Sequence, residues 1–405
     1  MSLIAPFAGL RPAPGRAAEV IAPPYDVLDS AEARARAAGR PHSFLHISKA
    51  EIDLPPDTDP YAPVVYARAA ENFAALRTAG VLLRDPQPRY YAYRLTWQGR
   101  QQLGLVAGAS VAAYNAGRIK KHEFTRPAKE DDRVRQIEAL KAQTGPVFLC
   151  YPAAAEIDAR LAAVAASVPA ADVSADDGVR HEFWDIGGAD DIAFFSAAFE
   201  RLPALYVADG HHRSAAAARV AAAQPGNALA QYFLAVIFPH HQLKILDYNR
   251  LVRDLNGHSP QALLAAIGQR FRVRPEAAAV RPAQAGEFGL YLEGRWHRLS
   301  IDPGLVPRDP VQRLDVSLLQ AQIIEPLLGI SDPRRDSRID FVGGIRGLGE
   351  LSRRVDSGEM AVAFSMFPTS LDDLMAVADV GEVMPPKSTW FEPKLADGLV
   401  SLLLE

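Results

Sequence analysis

Between Tyr61 and Leu76 the apolar residues Val64, Val65, Ala69, Phe73 and Leu76 recur at helical spacing, and Gly80 follows as a stop, which predicts a helix. The period then changes. Tyr90–Thr96 and Gln102–Val111, separated by Trp97–Arg100 with Gly99 as the turn residue, predict a β-hairpin. The charged stretch Arg118–Arg135 runs into a helix with Pro127 near its first turn and Ile137 and Leu140 on its apolar side, ended by Gly145-Pro146. Val147–Tyr151 and His181–Ile186 predict strands, and Ile157–Ala166 and Asp190–Phe199 predict helices. Ala204–Ala208 is an apolar strand, Asp209–Arg213 a polar turn facing solvent, and Ser214–Ala223 an alanine-rich helix that stops before Pro225-Gly226. Tyr232–Phe238 is another buried strand.

The second half alternates in the same way. Helices are predicted near Pro260–Gln269, Ser317–Leu328 and Leu348–Val355, and strands near Phe288–Leu292, Arg295–Ile301, Ile339–Val342 and Ala361–Phe367. Alternation without a strict βαβ rhythm predicts a mixed α/β fold, with α+β as the alternative. A soft boundary divides residues 1–245 from 246–405, since no linker longer than a turn interrupts residues 200–260. Asp53–Asp59, crowded by prolines, reads as an exposed loop.

Composition narrows the class. The 405 residues are 49% hydrophobic and 23% charged, enough apolar material for more than one core and too much for a disordered chain. A net charge of -4 gives no global attraction to nucleic acid or to an anionic membrane, so neither is an expected partner. One cysteine, Cys150, forbids an intramolecular disulfide and a multi-thiolate zinc site, which suits a reducing compartment and predicts a cytoplasmic protein. The early prolines and charges break any signal-peptide pattern, and no apolar run approaches the roughly 20 residues a bilayer requires. Of the 44 basic residues only 8 are lysine. Lys120, Lys121 and Lys129 fall within one ten-residue stretch, and Lys387 and Lys394 flank a second segment, which marks both as places needing a compact cation.

The sharpest chemistry lies in Asp209-Gly210-His211-His212-Arg213, between an apolar strand and a helix. Backbone N–H groups at a helix start bind anions. Gly210 lets a phosphate approach the backbone, Arg213 can fork two oxygens, the histidines supply donors or a general acid or base, and Asp209 can hold Mg²⁺. A bland reading leaves Asp209 as a helix cap and the histidines as loop residues. The second segment is Lys120-Lys121-His122-Glu123-Phe124-Thr125-Arg126, followed by Lys129 and Arg133. Its cations oppose the dipole of the helix they precede, which makes sense if an anion sits among them. The third, Met384 to Lys394, carries phosphate-compatible donors in Lys387, Ser388 and Thr389 with Trp390-Phe391 available for stacking, but lacks the glycine-rich run of a P-loop. In the fourth, Ala22-Pro23-Pro24-Tyr25-Asp26, rigid prolines present Tyr25 and Asp26. Gly343–Gly349 does not match dinucleotide spacing, His240-His241 lacks a partner motif, and Cys150 reads as an inert buried thiol.

Taken in order, these strings resemble the bacterial and archaeal domain of unknown function family numbered ten-fifteen, across nearly the whole chain. The Asp-Gly-His-His-Arg element is similar to the phosphate-binding turn of the ParB/sulfiredoxin-like superfamily, which includes free-serine kinases, nucleotide-hydrolysing partition proteins and sulfiredoxin. The resemblance implies a ParB/sulfiredoxin-like core within residues 1–245 and a loop at 384–394 contributed by the remainder. Together with the residues it points to a nucleotide-dependent phosphotransferase acting on a small hydroxyl compound, serine first, using ATP or ADP and Mg²⁺. In that expectation Gly210, His212, Arg213, Lys129, Lys387, Ser388 and Thr389 hold the nucleotide, and Tyr25, Asp26 and Arg133 the small-molecule substrate. Asp209 holds the metal, Lys121 neutralises developing charge, and Glu123 takes the hydroxyl proton with His122 or His211 as rivals. A nucleotide-binding regulator without turnover and a metal-dependent phosphohydrolase are the alternatives.

Overall fold

The computed structural model describes residues 2–405, which form two compact units: residues 2–243 with 393–405, and residues 244–392. The fold is mixed α/β.

A nine-stranded mixed sheet organises the first unit. In chain order its strands are β1 (Ile4–Ala5), β2 (Tyr90–Trp97), β3 (Arg100–Ser110), β4 (Ile119–Lys120), β5 (Val147–Tyr151), β6 (Ala171–Ser174), β7 (Arg180–Ile186), β8 (Leu205–Asp209) and β9 (Tyr232–Pro239). They lie in the order β4-β8-β5-β9-β3-β2-β7-β6, with β1 pairing β3. The predicted hairpin is β2–β3, and its turn carries positive φ at both Gln98 and Gly99, the combination whose twist matches a two-residue hairpin. β5 and β9 are apolar on both faces, as central strands covered from two sides must be. The predicted helix over 61–76 is α1 (Pro63–Thr78), buried through Val65, Tyr66, Ala69, Phe73 and Leu76. The charged segment ends in α2 (Pro127–Leu140), with proline in its first turn, where a missing N–H costs nothing.

One expectation is corrected at the most informative point. The polar turn predicted over Asp209–Arg213 is a single residue, Gly210, and α3 (His211–Ala223) already begins at His211. Gly210 reverses the chain at φ +96°, a left-handed conformation open to glycine, so His211, His212 and Arg213 become the first turn of a helix.

Two pairings fix how the first unit ends. Ala22 and Asp397 exchange backbone hydrogen bonds, and Leu402–Leu403 pairs with Ala142–Gln143. The segment expected to stay with the C-terminal region thus belongs to the first unit from Pro393 onward.

The second unit has a six-stranded antiparallel sheet of β10 (Tyr248–Val252), β11 (Phe271–Glu276), β12 (Glu287–Leu292), β13 (Arg295–Ile301), β14 (Ile339–Gly343) and β15 (Val362–Ser365), ordered β11-β13-β12-β15-β10-β14. The helix predicted over Ser317–Leu328 is interrupted by a π-helical turn at Gln320–Ile324. Pro326 explains it, since its ring excludes the carbonyl one turn back and it has no N–H to bond there.

Candidate functional site

Strand directions create the site. β4 and β8 run parallel, so their carboxyl ends leave the sheet together, and the residues after β4 lie beside the start of α3. β5 runs antiparallel to β8, which brings Gly145-Pro146, just before β5, to the same end. A register shift falls between Val207, opposite Leu149, and Asp209, opposite Phe148, so Ala208 is the extra residue of a bulge just before the strand ends. Three chain segments distant in sequence therefore meet around Gly210.

The His122 backbone N–H points at His211 Nε2 over 3.4 Å, and the Arg126 N–H donates to His212 Nε2 at 3.0 Å. His211 Nδ1 lies 3.7 Å from the Glu123 carboxylate, and the His122 and His211 rings meet edge to face with centroids 4.5 Å apart. Burial pushes His122 down to about 4, and burial together with the neighbouring His122 holds His211 well below the ordinary imidazole value. Both rings are neutral at pH 7. Glu123 is half exposed, and beside it Phe124 stands 71% exposed.

Arg213 does not face solvent as its place in a polar turn predicts. It is buried, donates to the Pro146 carbonyl, and lies 3.4 Å from Asp209 Oδ2. The guanidinium lies against Gly210, so closely that a Cβ there would come 3.0 Å from Arg213 Nε. Asp209 Oδ2 also faces Lys394 Nζ at 3.3 Å. Burial works to raise the Asp209 pKa, but Lys394 and Arg213 outweigh it and hold the carboxyl well below its usual range. Lys394, the last residue of the loop expected at the site but given no role there, joins it, and so does Asp397, which was not assigned to it from sequence. Scarcity of lysine is a signal for Lys394; nothing in the sequence marks Asp397.

Behind Arg213 lies a small cavity with about 30 Å³ of room for water, lined by Tyr25, Arg133, Gln136, Gly145, Arg213 and Asp397 among others. The Arg133 guanidinium sits 3.8 Å from the Tyr25 ring centroid and pairs with Asp132 at 2.7 Å. Burial pushes the Tyr25 phenol up to about 12. Asp397 Oδ1 and Arg213 Nε are buried without hydrogen-bond partners, and burial lifts the Asp397 carboxyl to about 7. Asp26 is exposed beside this group.

Lys121 lies over the Tyr114 ring at 4.5 Å, and Lys129 donates to the Tyr61 hydroxyl at 2.7 Å. Lys387, Ser388 and Thr389 belong to the second unit, where Lys387 lies 5.5 Å from the Tyr248 ring centroid and the Ser388 hydroxyl donates to the Pro385 carbonyl at 2.6 Å. Cys150 is buried, and burial pushes its thiol up to about 12, consistent with an inert role. Among the described residues no helix is long and apolar enough to cross a membrane.

A family model described as protein of unknown function (DUF1015) matches residues 4–317. The chain belongs to this family. No curated protein matches the DUF1015 chain by sequence. Among solved structures it is similar to a mutant free serine kinase in complex with AMP, at 14% identity and a TM-score of 0.37, covering 71% of this chain and 87% of that one. It is also similar to a conserved hypothetical protein from Pyrococcus furiosus, at 16% identity and a TM-score of 0.33, covering 73% and 93% of the two chains. SbnI with a C-terminal truncation, from Staphylococcus aureus, gives 12% identity and a TM-score of 0.37 over 72% and 85%.

Proposed function

We propose that this protein is a nucleotide-dependent phosphotransferase acting on a small hydroxyl compound. The observation that carries the reading is the junction at Gly210. There a left-handed glycine opens the N-terminus of a thirteen-residue helix, with Lys394 and Arg213 on one side and the Glu123–His211 pair on the other. Phosphoryl transfer asks a protein mainly for positioning and charge neutralisation, and helix-start N–H groups flanked by cations supply both. The acceptor hydroxyl must also lose a proton. Glu123, half exposed beside a neutral imidazole, is placed to take it.

The geometry changes three assignments in the reading. Arg213 acts from beneath the turn, bracing Gly210 and Asp209, and leaves direct phosphate contact to the backbone N–H groups, His212 and Lys394. Asp209 Oδ2 faces two cations, an arrangement that does not fit a Mg²⁺ ligand, so no step is assigned to a metal there. Tyr25 and Arg133 group behind Arg213 with Asp26 beside them, so they support the turn from beneath, and serine, which the family resemblance puts first, is the initial candidate for the acceptor met by Glu123. The test is incubation of the full chain with ATP or ADP and a panel of hydroxy and amino acids, read by phosphorus NMR. A new phosphomonoester resonance that depends on Glu123 supports the reading, and nucleotide binding without any transfer favours a regulator instead.

A further inference from the structure

His122 is 2% exposed, and neither of its ring nitrogens has a hydrogen-bond partner; the nearby Val207 carbonyl does not meet hydrogen-bond geometry. A neutral imidazole always carries one N–H and one lone pair, and leaving both unpaired in the interior costs about 1–3 kcal/mol for each group. A bound water or ion is one way such a group is satisfied. The groups nearest to hand are His211, whose ring stands edge to face with it, and Glu123. One donor atom from each of His122, Glu123 and His211 falls within 4.8 Å of the other two.

We infer that His122, Glu123 and His211 form a binding site for a divalent transition-metal ion, and that filling it withdraws the general base from phosphoryl transfer. The donor set decides the class of ion. Two imidazole nitrogens and one carboxylate oxygen suit Zn²⁺, Co²⁺ or Mn²⁺, whereas Mg²⁺ prefers oxygen and water. Metal–ligand bonds of about 2.0–2.2 Å put the donors of a tetrahedral site roughly 3.5 Å apart. The His211–Glu123 separation of 3.7 Å is already close to that, all three donors lie within 4.8 Å of one another, and the Glu123 side chain, 49% exposed, can adjust toward the two imidazoles. Position in the sheet explains why both histidines are present: the parallel ends of β4 and β8 deliver one each, and the backbone contact from His122 to His211 sets their spacing.

The inhibitory half of the inference rests on Glu123 being the base; the binding half does not. Co²⁺ titrated into the full chain, followed by its visible d–d absorption and by calorimetry, tests binding directly. One ion per chain is expected, with the intense bands of a four-coordinate nitrogen-containing site. Glu123→Gln, at an exposed position, is expected to weaken binding at least tenfold while leaving the circular dichroism spectrum unchanged, and His122→Gln to abolish the bands. His240→Ala combined with His241→Ala, which removes the other adjacent histidine pair, is expected to leave Co²⁺ binding unchanged. Absence of saturable Co²⁺ binding, or binding that disappears only with His240 and His241, overturns the site. If Co²⁺ binds as expected and transfer activity proceeds undiminished at saturating metal, the site stands and the assignment of Glu123 as base fails. Inhibition by Co²⁺ that vanishes on adding a chelator supports both halves.

Discussion

Arg213 reaches back one turn from the start of its helix to lie 3.4 Å from Asp209, the last residue of the strand that feeds that helix. The residue that looks most like a phosphate fork in the sequence is therefore an internal brace. Its guanidinium holds the Pro146 carbonyl, shields the face of Gly210, and shares Asp209 with Lys394. The start of the helix is braced by buried Arg213 and the partly exposed Asp209, which a second cation, Lys394, also faces.

Arg213→Ala is accordingly expected to cost stability as well as function. It leaves the buried Pro146 carbonyl without its guanidinium donor, a loss of about 1–3 kcal/mol, while Asp209, about a third exposed, keeps Lys394. Urea denaturation checks this. A midpoint unchanged from the parent chain refutes the bracing role. Lys394→Met, at a partly exposed position, should cost much less.

Gly210→Ala forces a Cβ into a left-handed backbone at φ +96° and to within 3.0 Å of Arg213 Nε. The backbone term alone is about 1–2 kcal/mol. Thermal melting should show the loss, and nucleotide affinity, measured by calorimetry, should fall with it because the first-turn N–H groups are re-aimed.

Glu123→Gln separates transfer from binding. Removing a general base costs about 10²–10⁴ in rate and nothing in ground-state recognition of the phosphates. Turnover with the accepted substrate should drop by that factor while nucleotide affinity stays within twofold. An undiminished kcat moves the proton acceptor to another group.

His181 gives a pH dependence with a definite sign. Its Nδ1 lies 2.6 Å from the Tyr93 hydroxyl, and burial pushes its pKa down to about 4. An unfolded histidine titrates near 6.5, so between about pH 6.5 and 4 the unfolded chain binds the extra proton. The stability contributed by neutral His181 is present above pH 6.5 and is lost as pH falls toward 4. Asp397 has the opposite sign. Burial, partly offset by Arg213 and Arg133, raises it to about 7, so its contribution is full near pH 4 and fades as pH rises through 7. Asp397→Asn should flatten the loss between about pH 4 and 7, and His181→Asn the loss between about pH 6.5 and 4, in denaturant midpoints measured across that range.

Local pattern was enough for the elements and for the fold class. The hairpin at Tyr90–Ser110, the strand Val147–Tyr151 and the helix opening at Pro127 follow from hydrophobic period, turn glycine and proline placement, all decided within a few residues. The sequence also marked Asp209–Arg213 and Lys121–Glu123 as places of chemistry, because polar residues of those kinds cluster where a strand hands over to a helix.

Which side chains meet was decided only by the tertiary structure. Parallel pairing of two strands eighty-odd positions apart sets His122 beside His211, and antiparallel return of the chain end beside Ala22 brings in Lys394 and Asp397. The same long-range packing buries Arg213 and ties it to Asp209. Burial and strand register arise from contacts between segments far apart in the chain, and a short window of sequence carries the residue types for such contacts but not their partners.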